Sequence, residues 1–442
     1  MLLQFSIKNF RLFKEKATLS LVASNYDKDT REAENIKQDL KFNLRILKSA
    51  VIYGANASGK SKFFEALMFM RNFVLTSDTR KGHKIDVEPF RLNNESEKLP
   101  TEFEVVFTHK NILYRYGFEV GNKKVISEWL YYKPKTKEVE LFYREGNKFE
   151  THERNFPKGK AVINGGLVRE NALLVSVSAQ FNDSTCISVI DWFEQLNIII
   201  GIDDAFRSDT IRKIENNEEK LKILEFIQAA DLGIQDLQYE EVLSDEIPEG
   251  LQDVITVKEF ADMFNGIVPK ALSDISSIHN LYGNDRRLMG KVRFSVSRDE
   301  SNGTKKFLYL SGKIIDILEN GGILIEDELD SKLHPNLVCK IVALFNSKEL
   351  NKGNAQLIFN THDTNLLSSG LFRRDQIWFT NKNKFGEASL YSLADFKSDE
   401  VKKNESFEDN YIRGKYGAIP FLDFFDNLNN VLLQYENERQ KS

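Results

Sequence analysis

Cysteine is almost missing from this chain: only Cys186 and Cys339 occur among 442 residues, with no C-x-x-C spacing and no paired histidine. That excludes a disulfide framework and a zinc-ribbon type of site, and it fits a reducing cytoplasm. Both cysteines read as buried apolar filler. Long hydrophobic runs are lacking as well, since none approaches the roughly 20 residues needed to span a bilayer, so no membrane role is expected. The opening Met1-Leu2-Leu3-Gln4-Phe5-Ser6-Ile7-Lys8 alternates like a strand and has neither the basic start nor the apolar centre of a signal peptide. An excess of positive charge is absent: 61 Lys and Arg stand against 66 Asp and Glu, for a net charge of −5. A dedicated nucleic-acid binder would carry the opposite balance. The basic pairs Arg286-Arg287, Lys305-Lys306 and Arg373-Arg374 could contact nucleic acid locally, but without interleaved aromatics they read first as solvated faces. Sustained heptads are missing, which argues against a long coiled-coil arm.

What is present starts with 41 % hydrophobic residues, enough for a substantial core over roughly two or three domains. The sharpest feature is Gly54-Ala55-Asn56-Ala57-Ser58-Gly59-Lys60-Ser61, which meets G-x-x-x-x-G-K-[ST] at every fixed position. Before it runs the apolar Ala50-Val51-Ile52-Tyr53, and after it Lys62 to Phe73 carries apolar residues at helical spacing. Strand, glycine-rich loop and helix are the geometry of a P-loop. Backbone N–H groups of Gly54, Asn56, Ala57, Ser58 and Gly59 would cradle phosphates, Lys60 would reach the β- and γ-phosphates, and Ser61 would hold Mg²⁺.

Around this loop the chain divides by pattern. Residues 1–150 open with a hairpin (Leu2 to Phe10, Lys16 to Ala23), pass a polar stretch from Ser24 to Lys41 that reads as a mobile surface segment, and continue from the P-loop into an antiparallel meander between Thr101 and Phe149. Residues 151–290 form a mainly helical insertion, with Ile187 to Leu196 and Lys213 to Ala230 as its helices. Its carboxylate pairs, Asp203-Asp204 and Glu240-Glu241, read as solvated faces. Residues 291–396 return to strand and helix alternation, and residues 397–442 are a tail, charged at first and then rich in aromatics (Phe421, Phe424, Phe425), that is expected to pack as a helix. The fold class is α/β.

Within 291–396 the order of motifs carries chemistry. Gly322-Ile323-Leu324-Ile325-Glu326-Asp327-Glu328 is a buried strand ending in acids, and phosphoryl transfer needs a metal ligand and a group that orients the attacking water. Asp327 is the candidate Mg²⁺ ligand and Glu328 the candidate for polarising water; capping of the next helix is the competing structural reason for acids at a strand end. His334, before Pro335, reads as a helix-start residue.

Asn9-Phe10-Arg11, the P-loop, Glu300-Ser301-Asn302-Gly303-Thr304, Asp327-Glu328-Leu329-Asp330-Ser331-Lys332-Leu333-His334-Pro335, Asn360-Thr361-His362-Asp363 and Arg413-Gly414-Lys415-Tyr416-Gly417-Ala418-Ile419-Pro420 span nearly the whole chain. With them it resembles ABC-type ATPase heads of the SMC and RecF kind. More closely it resembles the stand-alone AAA-type ATPases of bacterial abortive-infection and anti-phage systems, including the ATPase subunit of PARIS-type defence. The resemblance implies a P-loop NTPase, an ABC-ATPase-like head, using ATP and Mg²⁺. It makes Ser301 and Gly303 the signature turn that contacts the γ-phosphate bound by the opposite protomer, His362 the switch histidine, and Asp330 part of a D-loop at the dimer interface. Ser-Asn-Gly-Thr stands where the ABC pattern has Ser-Gly-Gly-Gln, and no Q-loop glutamine is found around Phe90-Arg91-Leu92.

The implied partners are a second copy of the chain, in a dimer or higher oligomer, a separate effector protein encoded nearby, and a phage-derived trigger. No nuclease motif or second acidic cluster remains in the sequence to act as a toxin, which motivates the separate effector. The alternatives are a RecF/SMC-like ATPase acting directly on DNA, and a scaffold that binds nucleotide without hydrolysing it, against which the intact Glu328 argues.

Overall fold

The computed structural model describes residues 1–25, 29–79, 84–200, 206–241, 273–397, 400–402 and 405–420. Two compact units are built from interleaved segments. One takes Met1–Leu2, Arg31–Ser49 and Asp191–Asp363, the other Leu3–Thr30, Ala50–Ile190 and Thr364–Ser442. Divisions drawn along the sequence group neighbours in the chain, whereas each unit gathers segments far apart in it.

In the second unit, alternation of apolar residues makes the opening hairpin, Leu2–Lys8 antiparallel to Ala17–Ser20. The meander extends it into a sheet of seven strands, in the order Lys148–Thr151, Val139–Glu145, Val125–Lys133, Ile112–Val120, Thr101–His109, Leu2–Lys8, Ala17–Ser20. Its tight turns leave no room for crossover helices. The helix Lys60–Thr76 buries Phe63, Phe64, Leu67, Met70, Phe73 and Val74 at helical spacing. Rings then dock helix and sheet: Phe5 meets Phe63 at 5.2 Å, Phe69 meets Phe103 at 5.1 Å and Phe73 meets Phe118 at 5.5 Å. Each such pair adds about 0.5–1.5 kcal/mol beyond the area it buries. The P-loop strand Ser49–Tyr53 is buried at every position, runs parallel to Ile377–Lys382, and the latter pairs antiparallel with Ala388–Ser392.

In the first unit three parallel strands, Leu196–Ile199, Ile323–Glu326 and Gln356–Asn360, pair in that order. The last two are buried throughout, which is why they read as unbroken apolar runs. The helix Asn302–Asn320 starts at the Ser301 cap and packs against Arg207–Glu215, whose Lys213 Nζ donates to the Gly312 carbonyl at 2.7 Å. A separate sheet joins Asp236–Glu241, Ser273–Tyr282 and Leu288–Ser295 antiparallel.

Two expectations meet a different local structure. The polar stretch Ser24 to Lys41 contributes Ile36–Asp39 to a hairpin with Leu44–Leu47, because Ile36 and its partner strand's Ile46 and Leu47 are buried. The single helix read over Lys213 to Ala230 is two, Arg207–Glu215 and Asn217–Gln228, since the side chain of Asn216 accepts from the N–H groups of Glu218 and Glu219 and starts the second. The carboxylates Asp203-Asp204 and the tail aromatics Phe421, Phe424 and Phe425 lie outside the described residues. Among the described residues no helix is long and apolar enough to cross a membrane.

Candidate functional site

The P-loop leaves its strand at Gly54 and enters its helix at Lys60. A Cβ on Gly54 would come within 2.5 Å of Thr380 Oγ1, so only glycine lets the loop pass this close to the neighbouring strand. Ala57 and Gly59 take positive φ, 59° and 119°, and turn successive N–H groups toward one side of the loop, the nest that favours anions. Ser58, Gly59 and Lys60 are buried, while Asn56 and Ala57 are exposed at the mouth. Lys60 Nζ donates to the carbonyls of Gly54 and Ala55 at 2.8 and 3.2 Å, so its ammonium lies within the loop. With the helix N-terminus behind it, this cradle fits a phosphate.

Neighbouring strands hold the loop in shape. Ser58 Oγ and Thr380 Oγ1 are 2.6 Å apart, and the Gly54 backbone hydrogen-bonds to the Tyr411 hydroxyl, whose pKa burial pushes up to about 12. Tyr53, Phe379, Tyr411 and Tyr416 form one ring cluster under the strand end, and the Tyr391 hydroxyl donates to the Tyr416 carbonyl at 2.7 Å. The C-terminal Tyr-Gly-Ala-Ile-Pro stretch thus packs beneath the strand that presents the loop. Thr380 and Tyr411 carried no signal in the sequence, because each acts from a strand or helix far along the chain.

The acidic end lies in the other unit. Asp327 is 8 % exposed and its Oδ1 accepts a hydrogen bond from Asn360 Nδ2. Glu328 follows with an exposed side chain and an unusual backbone, φ 55°, in the left-handed region. Two side chains grip its peptide groups: Asn360 Oδ1 accepts from the Glu328 N–H at 2.7 Å, and Lys306 Nζ donates to the Glu328 carbonyl at 3.0 Å. Lys306 also pairs with Glu326 Oε1 at 3.1 Å. Burial raises the pKa of the Glu326 carboxyl to about 7, with the Lys306 charge opposing that rise. Asp330 Oδ2 accepts from the His362 N–H at 3.3 Å. His334 Nδ1 accepts from the Asn336 N–H at 3.2 Å, the helix-start role read for it.

Ser301 is exposed and caps its helix, its Oγ accepting from the Thr304 N–H at 3.1 Å. A Cβ on Gly303 would fall 2.5 Å from the Lys332 carbonyl oxygen, so this glycine lets the helix start lie against the loop after the acidic strand. One unit therefore brings together Ser301, Gly303, Asp327, Glu328, Asp330 and His362, residues the sequence scatters over some sixty positions. Asn360 and Lys306, which connect them, were not read as site residues from the sequence. Lys306 was hidden in a basic pair, and Asn360 in a strand end next to His362.

Of the basic pairs, Arg373 is buried in a two-pronged pairing with Asp375, its Nε and Nη2 at 2.9 Å, and Arg374 donates to the Val401 carbonyl at 2.8 Å. Lys305 donates to the Ser297 carbonyl. Arg286 and Arg287 stand exposed on the hairpin between Ser273–Tyr282 and Leu288–Ser295.

A comparison with curated proteins finds no match. Among solved structures, the chain is similar to an SMC head bound to the C-winged helix domain of ScpA, with TM-score 0.43 and 14 % identity over 90 % of this chain and 99 % of that one. It is also similar to the SMC head domain from Thermotoga maritima, with TM-score 0.39 and 14 % identity over 88 % of this chain and 98 % of that one. Residues 49–368, from the start of the P-loop strand to just past His362, match the family described as "AAA domain, putative AbiEii toxin, Type IV TA system". With its cradle, its acidic strand end and most of its length inside that match, the chain belongs to this AAA family.

Proposed function

We propose that the protein binds and hydrolyses ATP, that the ATP-bound form self-associates, and that this assembly acts as a sensor or regulator in anti-phage defence by controlling a separate effector. The observation that carries the enzymatic part is the clamped Glu328: its peptide is gripped by Asn360 and Lys306, beside an Asp327 held ready by the same Asn360. Such preorganisation suits a group that must orient water in the transition state.

In this reading Lys60 and the N–H groups of the P-loop take the phosphates, and Ser61 and Asp327 hold Mg²⁺, which supplies neutralising charge to the β- and γ-phosphates. Glu328 orients the attacking water. Ser301 and Gly303 present a helix N-terminus to the γ-phosphate held by a second copy, and His362 senses it. The defence role rests on the family's description as a toxin–antitoxin domain. Direct action on DNA is the weaker alternative, because Arg373, Arg374, Lys305 and Lys306 are engaged within the fold.

The test uses the 442-residue chain with radiolabelled ATP. Lys60→Ala is expected to lose nucleotide binding, whereas Glu328→Gln is expected to keep bound ATP unhydrolysed and to shift the protein to a larger species in light scattering. Ordinary turnover by Glu328→Gln would remove Glu328 from the mechanism.

A further inference from the structure

Lys306 has a use that the sequence did not announce. It sits five residues after Ser301 on the helix Asn302–Asn320, and its ammonium carries three N–H donors. Three acceptors receive them: Glu326 Oε1 at 3.1 Å, the Glu328 carbonyl at 3.0 Å and the Leu329 carbonyl at 3.3 Å. One side chain of the helix thereby touches the residue before Asp327, the peptide after Glu328 and the start of the following loop.

Glu328 needs this support. A residue with a β-carbon is held at φ 55° only when its surroundings over-determine it, and here the N–H is taken by Asn360 and the carbonyl by Lys306. Asn360 belongs to a buried parallel strand and cannot move independently of it. Lys306 belongs to the helix that Ser301 caps and whose first turn holds Gly303. The two grips on Glu328 thus come from different elements.

We propose that Lys306 is a positioning residue for hydrolysis, making the aim of Glu328 depend on the placement of the helix that carries Ser301 and Gly303. When a phosphate engages that helix start, the helix is fixed, and with it the carbonyl side of Glu328. A chain's own hydrolytic group is then set by what its signature turn has bound. The inference rests on the proposed role of Glu328 in orienting water. Glu326 is the anchor of the device: it is 1 % exposed, its Oε1 meets Lys306, and its Oε2 is buried without a hydrogen-bond partner.

The experiment compares steady-state ATP hydrolysis and binding of a fluorescent ATP analogue in wild type, Lys306→Met, Lys306→Arg and the double variant Lys306→Met with Glu326→Gln. Lys306→Met is expected to lower kcat on the order of 100-fold, as loss of orientation does, with KM and analogue affinity near wild type. Lys306→Arg, which keeps charge and donors, is expected to fall between. The double variant removes the buried unpaired charge, so it carries the test should the single variant fold poorly, and it is expected to keep the kcat loss. Wild-type kcat in the double variant overturns the inference, because Lys306 would then only neutralise Glu326. A KM rise that accounts for the whole defect overturns it as well. Glu328→Gln separates the levels: normal turnover there sinks the role of Glu328 itself, whereas trapped ATP there with wild-type kcat in Lys306→Met sinks only the coupling.

Discussion

Replacing Asn360 by alanine removes two bonds at once, and the structure sets what each is worth. Asn360 is fully buried, with Nδ2 on Asp327 Oδ1 and Oδ1 on the Glu328 N–H at 2.7 Å. A hydrogen bond to a charged carboxylate contributes about 1.5–3 kcal/mol, and a backbone donor left without its partner costs about 1–3 kcal/mol. Because the Glu328 side chain is exposed, water can reach part of the space left behind, so the lower end of the sum, about 2.5 kcal/mol, is expected. For a chain of 442 residues the melting entropy is about 0.9 kcal/mol/K, so each kcal/mol moves Tm by about 1 °C and Asn360→Ala should melt about 3 °C lower. The kinetic effect should be larger than the thermal one: with Asp327 and Glu328 both released, kcat for ATP should fall on the order of 100-fold, with a raised Mg²⁺ requirement. Asn360→Asp divides the effects, since it still accepts from the Glu328 N–H but turns an acceptor toward Asp327. Its Mg²⁺ dependence should therefore be altered at least as much as that of Asn360→Ala. Thermal melts and ATPase titrations against Mg²⁺ decide the matter. Wild-type kcat and Mg²⁺ dependence in Asn360→Ala would refute the positioning argument.

Ser301→Arg should abolish ATP-dependent self-association seen by size exclusion, because a long cation would fill the turn offered to a second copy. Ser301→Ala, which loses only the cap on Thr304 N–H, should cost about 1 kcal/mol and leave association in place; unchanged association in both variants would remove Ser301 from the interface. The Lys48 ammonium gives a pH signature. Burial, helped by the like charges of Lys37 and Lys348, lowers its pKa to about 8, while its Nζ lies on the Asn346 and Ser347 carbonyls. The unfolded chain then binds more protons than the folded one between about pH 8 and about pH 10.4, so stability from this group rises with pH across that window. Relative to Lys48→Met, the wild type should gain about 1.5 kcal/mol between pH 8 and pH 9.5 in urea melts; parallel curves would disprove the shift.

Much of the fold was legible because periodicity is a local property. The alternating runs from Thr101 to Phe149 fall into strands, the unbroken apolar runs before Gly54 and Glu326 into buried strands, and the helical spacing after Lys60 and Thr304 into helices. Local chemistry at Asn216 was harder to weigh against apolar spacing, and a side-chain cap split the expected helix there. The polar stretch before Lys41 was misleading for the opposite reason, since few apolar residues suffice for a short hairpin when they are buried against the rest of a unit.

The sequence by itself determined the phosphate cradle, because glycines, lysine and serine at fixed spacing act through backbone geometry within eight residues. It also determined the acids at the end of a buried strand. Only the tertiary structure decided what holds them: Asn360 beside Asp327, Lys306 on the far side of Glu328, Thr380 and Tyr411 against the P-loop. Each of these acts from an element distant in the chain. A hydrogen bond depends on distance and angle in space, and neither is written in the order of residues.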